Sequence, residues 1–420
     1  MMHRSVRTNP RRTRVRPLPL FAGAAALALA LGGCSGADGG KTTLTFMTWD
    51  SPEVMAPVIE AFEQENPDIT VEVSHAPPVA EYISTLQNRL LAGTAADVFV
   101  MGSENKTNLI EGKLILDLTD EPYMDAIAPL NKTVRGSEGR VYGLSISSWS
   151  TGLAYDVDLL ASLGYDEFPT QWDEFVQLLR DLEATGVTPY LEPWAAVPDS
   201  IASSVGAANA KNGTSDLAAF DGTGSFAENW QEPLERWADL FDEGLISKDV
   251  VGINGDQVLE EFVTGRAAMI PMGPWNVKKV PELNPELNWR IAGFPQPDGV
   301  AWFSGNASPG WAINAKAKQP EAAQAFLAFL ASPEGVKVYQ EQTNSMTTTA
   351  DYEPSIDEHL EPNLLALQEE RVYLPMAAWP RYQDALNVEL VAQLQLMAQG
   401  QLTPEEVGAA LDAKIKQLGG

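Results

Sequence analysis

Between residues 44 and 101 the chain alternates three strand-length apolar runs with two helix-length amphipathic ones, and that alternation restricts the fold more than any other feature. Leu44, Phe46 and their neighbours up to Trp49 make a buried-strand run. Ser51-Pro52-Glu53 supplies a helix cap, a first-turn proline and a first-turn carboxylate, and Val54, Val58 and Phe62 follow at helical spacing. Ile69, Val71 and Val73 alternate as a strand, Ile83, Leu86 and Leu90 mark a second helix, and Asp97 to Met101 is a third strand. Strand–helix–strand–helix–strand predicts an α/β domain with largely parallel pairing. Ligands of such sheets lie beyond the carboxyl ends of the strands, which puts Trp49-Asp50 and Gly102-Ser103-Glu104-Asn105 on one rim.

A second alternating region begins near residue 150, where Gly152 to Tyr155 reads as a strand. Thr170 then opens a helix with Trp172, Phe175, Leu178 and Leu179 on its apolar face. Further helices are expected at 225–243, 320–331, 380–398 and 404–418, the last opened by the capping box Thr403-Pro404-Glu405-Glu406. A chain of 420 residues is too long for one hydrophobic core, so two domains are expected.

The amino terminus reads as an export signal. Arg4, Arg7, Arg11, Arg12, Arg14 and Arg16 precede an apolar run from Leu18 to Leu31 that is too short for a stop-transfer helix. Leu31-Gly32-Gly33-Cys34 ends it with the only cysteine of the chain. This resembles the bacterial lipobox, whose cysteine is acylated and becomes the mature amino terminus; an ordinary secretory signal with an accidental cysteine is the alternative. Residues 1–33 are then a signal peptide and 34–41 a flexible tether, and the protein works outside the cytoplasm, lipid-anchored to the bacterial cell membrane. The tether imitates a phosphate-binding loop up to Thr42, but Ser35 replaces the first glycine and the segment precedes a strand instead of following one.

Charge and titratable groups exclude several functions. The net charge is −29, and loss of the six signal arginines takes it to −35. Such a surface repels phosphate backbones, so nucleic acid is not an expected partner. His75 and His359 are the only histidines beyond the signal, and a lipidated Cys34 leaves no thiol. Metal sites, a Cys–His nucleophile and a disulfide framework have almost nothing to build on, so no metal, cofactor or catalytic group is expected.

Four stretches in register resemble one family. Gly143-Leu144 through Tyr155-Asp156-Val157-Asp158-Leu159-Leu160 is similar to the segment where extracellular solute-binding proteins cross between lobes. Pro169-Thr170-Gln171-Trp172-Asp173-Glu174-Phe175 resembles a helix start of theirs, and Phe262 to Met269 followed by Gly273-Pro274-Trp275 resembles their most recognisable signature. Pro320 to Phe329 and Ser332-Pro333-Glu334-Gly335 resemble their late helix pair. The family is the sugar-binding branch of ATP-binding-cassette importer binding proteins, the relatives of maltose-binding protein. The resemblance implies an α/β, two-lobed periplasmic-binding-protein-like fold of type II with the ligand between the lobes. By analogy the first lobe holds about 41–148 and 302–347 and the second about 149–301 and 348–420. The implied partners are a carbohydrate and the permease subunits of an importer. Ser345-Met346-Thr347-Thr348-Thr349 departs from the Leu-Pro pair of many relatives, which puts contacts there in doubt.

A sugar cleft needs flat aromatic faces and side chains that both donate and accept hydrogen bonds. Of eleven tryptophans, Trp172, Trp230, Trp237 and Trp289 read as packing. The resemblance implies ligand contact for Trp149 at the first crossing, for Glu192 and Trp194 in Glu192-Pro193-Trp194, for Trp275, and for Trp379. Trp49 and Trp302 are weaker platforms; Asp50, Glu81, Glu104, Asn105, Asn276 and Asn306 are the other polar candidates, and Arg381 is placed to brace one of the acids. A secreted glycoside hydrolase would also carry tryptophans and paired carboxylates. Against it, the chain lacks eight successive strand–helix units and the nucleophile-elbow and zinc-protease motifs. A binder of a polyamine or another non-sugar solute is the remaining alternative, and a di- or oligosaccharide suits several separated platforms best.

Overall fold

The computed structural model describes residues 41–76, 79–212, 216–343, 345–347 and 349–419. The export signal, Cys34 and the tether up to Gly40 lie outside the described residues, as does Thr348 of the Ser345–Thr349 stretch.

The strands, in chain order, are β1 (Thr42–Thr48), β2 (Ile69–His75), β3 (Val98–Met101), β4 (Gly136–Ser137), β5 (Arg140–Val141) and β6 (Ser147–Asp156). They continue as β7 (Met269–Met272), β8 (Trp289–Ala292), β9 (Phe303–Ala307), β10 (Gly310–Ile313), β11 (Met346–Thr347) and β12 (Val372–Tyr373).

One sheet has the order β10-β3-β1-β2. β1 runs parallel to both β2 and β3, as the alternation predicts, and the register sets Thr42 opposite Ile69 and Thr48 opposite His75. β10 adds an antiparallel edge, Gly310 opposite Met101, which no local pattern announces. A sheet covered on both faces buries consecutive side chains, and Leu44, Phe46 and Met47 are indeed fully buried. Phe46 and Phe62 meet Phe326 of the helix Pro320–Ala331 at 5.2 and 5.0 Å between ring centroids. This core draws its buried side chains from residues 44–146 and 311–339.

The second sheet is built around β6. Its first half pairs with β9 and β11, while Gly152 to Asp156 pair with β7 and β8. At Gly152 a Cβ would come within 2.5–2.7 Å of Ile291, the Ala292 carbonyl and Phe303, so only glycine lets β8 and β9 close in from either side. β12 pairs in parallel with β9. The second core takes residues 153–294 together with Phe303, Met346 and residues 360–411.

Two helix starts differ from expectation. Ser51 is extended at the N-cap but its hydroxyl makes no cap bond, and the helix expected from Thr170 begins at Trp172 behind an uncapping Gln171. The late helix spans Pro404–Gly419 with its capping box formed: Glu406 N–H donates to Thr403 Oγ1 at 3.3 Å and Thr403 N–H to Glu406 Oε2 at 2.8 Å. The expected 380–398 helix runs from Gln383 to Ala398.

Candidate functional site

The chain passes from one core to the other along β6 and β9, whose register pairs Trp149 with Asn306, Ser148 with Ala307, Ser150 with Gly305 and Thr151 with Ser304. Side chains of a strand alternate between faces, and directly opposed residues share one. Trp149 and Asn306 therefore point to one side and Ser148 and Ala307 to the other.

The Ala307 side is covered by the helix Pro129–Val134. Ser148 Oγ donates to Asn131 Oδ1 at 3.2 Å, and Ala307 packs with Val134 and Ala377. A cavity of about 780 Å³ opens on this side, lined by Leu130, Thr133, Val134 and Ala377 and by both basic and acidic chains, among them Lys106, Arg140, Glu111 and Glu138. Tyr373, Trp379, Arg381 and Asn306 also line it, but none of Trp49, Asp50, Glu104, Asn105, Trp149 and Trp275 does. We therefore place the candidate site elsewhere.

The Trp149 side brings the rim and the crossing strands together. Trp149 and Trp275 meet edge to face, 5.6 Å between centroids at 69°, and Trp275 is 55% exposed. Asn306 Nδ2 donates to Ser103 Oγ at 3.4 Å, joining β9 to the loop after β3. Asn306 Oδ1 is buried without a partner in the protein, as is Nδ2 of Asn105, two residues beyond Ser103. Asn105 Oδ1 is already held by Gly102 N–H at 3.0 Å. Asn306 and Asn105 thus leave one acceptor and one donor without a partner among the described residues. Asn276, half-buried beside Trp275, turns back through its N–H to the Gly273 carbonyl at 3.2 Å.

At the end of β1, Trp49 sets its ring edge-on to Tyr82 at 5.3 Å, and Tyr82 is itself fixed by donating to the Val100 carbonyl at 2.8 Å. Asp50 accepts from Thr48 Oγ1 at 3.2 Å and from Tyr339, while His75 Nδ1 lies 2.6 Å from its backbone carbonyl. Burial pushes the Asp50 carboxyl up to about 6, more than these donors and the nearby His75 pull it down. Glu104 is half-buried on the same rim and faces the charge of Arg135. Arg135, which local reading of the sequence passes over, is fully buried between the cores, donating to the Met101 carbonyl at 3.1 Å and to the Ala307 carbonyl. Burial lowers its guanidinium to about 10.

Several expected contacts are structural instead. Glu192 is buried with both oxygens occupied: Oε1 accepts from the Asp199 and Ser200 N–H groups, and Oε2 from Tyr190 and Ser200 hydroxyls. It caps the helix Asp199–Asn212, and burial together with the Asp199 carboxylate raises its pKa. Trp194 is 1% exposed and edge-on to Phe241 at 5.0 Å, inside the second core. Trp379 is 0% exposed, between Phe226 and Trp230, and its Nε1 donates to Asp216 Oδ2 at 3.0 Å. Both rings are among the four platforms implied by the resemblance; each is walled in by residues from distant parts of the chain. Arg381 braces no acid but donates to the Phe220 carbonyl at 2.7 Å. Trp302 exchanges backbone hydrogen bonds with Phe294 and lies against Gly206. Glu81 stands exposed in the first turn of the helix Val79–Ala92, outside this grouping.

Among the described residues no three His, Cys, Asp or Glu side chains cluster to hold a metal ion, and no helix is long and apolar enough to cross a membrane.

Two α/β cores joined by crossing strands, with aromatic and polar groups gathered where they meet, define a two-lobed binding-protein fold. The profile of the bacterial extracellular solute-binding proteins matches residues 49–337, and the chain belongs to that family. The melibiose/raffinose/stachyose-binding protein MelE of Bacillus subtilis is 26% identical, over 93% of this chain and 94% of that protein. A multiple sugar-binding protein of Streptococcus mutans is 24% identical over 69% of this chain and 70% of its own length. Among solved structures, a family 1 extracellular solute-binding protein from Bifidobacterium longum subsp. infantis superposes with a TM-score of 0.81 at 29% identity, covering 90% of this chain and all of that one.

Proposed function

We propose that this protein captures a carbohydrate of two or more residues between its lobes and delivers it to an ATP-binding-cassette importer. The observation that carries this reading is the Trp149–Trp275 corner beside the unpartnered Asn105 Nδ2 and Asn306 Oδ1. A sugar presents an apolar C–H face to an indole, and its hydroxyls donate and accept at once, which matches one free donor and one free acceptor. Two relatives named for sugars, MelE and the multiple sugar-binding protein, support the same class. The contacts we assign are Trp49, Asp50, Glu104, Asn105, Trp149, Trp275, Asn276 and Asn306. We assign the first lobe to about 41–148 and 302–347 and the second to about 149–301 and 348–420, a division that the two cores support except at Phe303 and Met346, which pack in the second core. Cys34 anchors the protein outside the cytoplasm to the bacterial cell membrane through lipid, and the bound sugar is not turned over.

A thermal-shift series with raffinose, stachyose, melibiose and maltose, with spermidine alongside, tests the proposal. A bound ligand at 100 times its dissociation constant adds about 2.7 kcal/mol to stability. Stabilisation by a sugar that is afterwards recovered intact is the expected result. Stabilisation by spermidine and by none of the sugars would overturn it, and hydrolysis lost on changing one carboxylate would make the protein a glycosidase.

A further inference from the structure

Gly273 closes β7 and precedes the short helix Pro274–Val277, with Trp275 two residues on. Its backbone, φ −103° and ψ 172°, lies in the extended region open to any L-residue, so no turn requires a glycine there. The side-chain space is a different matter. A Cβ at 273 would sit 2.4, 2.5 and 2.8 Å from three ring carbons of Trp275, which are its three nearest neighbours. The six-membered ring of the indole is folded back into the space where a Gly273 side chain would start, and in that position it meets Trp149 at 5.6 Å.

Ring atoms at the far end of a side chain can move where backbone cannot. Trp275 is 55% exposed, so solvent offers it room to rotate away. A methyl group at 273 would thus leave the backbone in place and displace the indole. We infer that Gly273 is a positioning residue: its missing side chain is the seat that holds the Trp275 ring against Trp149, and it thereby sets the aromatic corner that selects the ligand. The part of this inference that concerns affinity rests on the carbohydrate reading; the part that concerns ring placement does not.

The test is a cycle of Gly273→Ala, Trp275→Ala and the double variant in the full protein. Two indoles in edge-to-face contact couple in circular dichroism. The band that Trp275→Ala removes isolates the Trp149–Trp275 pair from other close pairs such as Trp172–Trp237, 5.3 Å apart. Gly273→Ala is expected to remove the same band, to keep the melting temperature of the parent, and to weaken raffinose binding at least about tenfold. In the Trp275→Ala background Gly273→Ala is expected to change neither the spectrum nor the affinity, because the two act as one unit. An unchanged band in Gly273→Ala would overturn the inference. So would an equal loss of melting temperature in both backgrounds, which would make Gly273 a packing residue. If the parent binds neither raffinose nor the other sugars, the carbohydrate reading fails, while the spectral cycle still decides the placement of the ring.

Discussion

Trp275 shows 55% of its surface to solvent, whereas Trp194 and Trp379 show 1% and 0%, and this difference decides what each ring can do. An exposed indole keeps a ring face open to contact, and a sealed one packs the core. Trp275→Ala is expected to weaken the best sugar of the screen at least about tenfold, or roughly 1.4 kcal/mol, with little change in melting temperature. Trp194→Ala and Trp379→Ala are expected to cost about 3–5 kcal/mol of stability through the cavities they leave, as Trp172→Ala should. Calorimetric titration and chemical unfolding of the four variants separate the outcomes. Asp50 adds a pH dependence. Its folded pKa lies above the unbound value, about 6 against 3.8, so the folded state holds the proton more tightly. Its contribution to stability is complete below 3.8 and is lost as pH rises through about 6. Asp50→Asn should flatten the stability profile across that window, by an amount on the order of 2 kcal/mol. A slope that persists in the variant would assign the effect to other groups.

The elements of the second lobe converge on one buried carboxylate. Asp216 accepts through Oδ1 from Asn229 Nδ2 and Trp230 Nε1 at 2.8 Å each, and through Oδ2 from the Tyr373 hydroxyl at 2.6 Å and Trp379 Nε1 at 3.0 Å. It ties the helix Phe226–Asp242 to β12, which lies beside the crossing strand β9. The stretch after Trp379 reaches the helix Lys106–Glu111 that follows β3, where Thr107 Oγ1 donates to Gln383 Oε1 at 2.8 Å. Burial raises the Asp216 pKa against the pull of its four donors. Asp216→Ala would leave the Trp230 and Trp379 indole N–H groups buried without the acceptor they use, each costing about 1–3 kcal/mol. A loss of at least about 3 kcal/mol in urea unfolding is expected, and a change under 1 kcal/mol would show that the network relaxes around the gap. Local elements themselves were largely readable. β1, β2 and β3, the helix Pro320–Ala331 and the Thr403 capping box follow from periodicity and cap chemistry, which act within a few residues. The antiparallel β10 was not readable, because its pairing with β3 joins residues more than two hundred positions apart.

For the whole molecule, closure of the lobes on a sugar is the expected response, since a ligand that contacts both lobes favours the closed state. Small-angle scattering should show compaction with the best sugar and none with a sugar that does not bind. Cys34→Ser in the native host should abolish labelling by fatty acid, and undiminished labelling would remove Cys34 as the anchor. By itself the sequence determined the α/β class, the order of most elements and the family, and it set Trp49-Asp50 and Gly102-Ser103-Glu104-Asn105 on one rim. These rest on short-range periodicity and on motifs that stand in the chain as contiguous words. Only the tertiary structure decided which candidates face outward. Trp194 is roofed by a helix whose Gln395 Nε2 donates to the Trp194 carbonyl from 201 residues away, and Trp379 is held by Asp216 from 163 residues away. Exposure of a side chain is a property of everything packed around it, and no local pattern carries it.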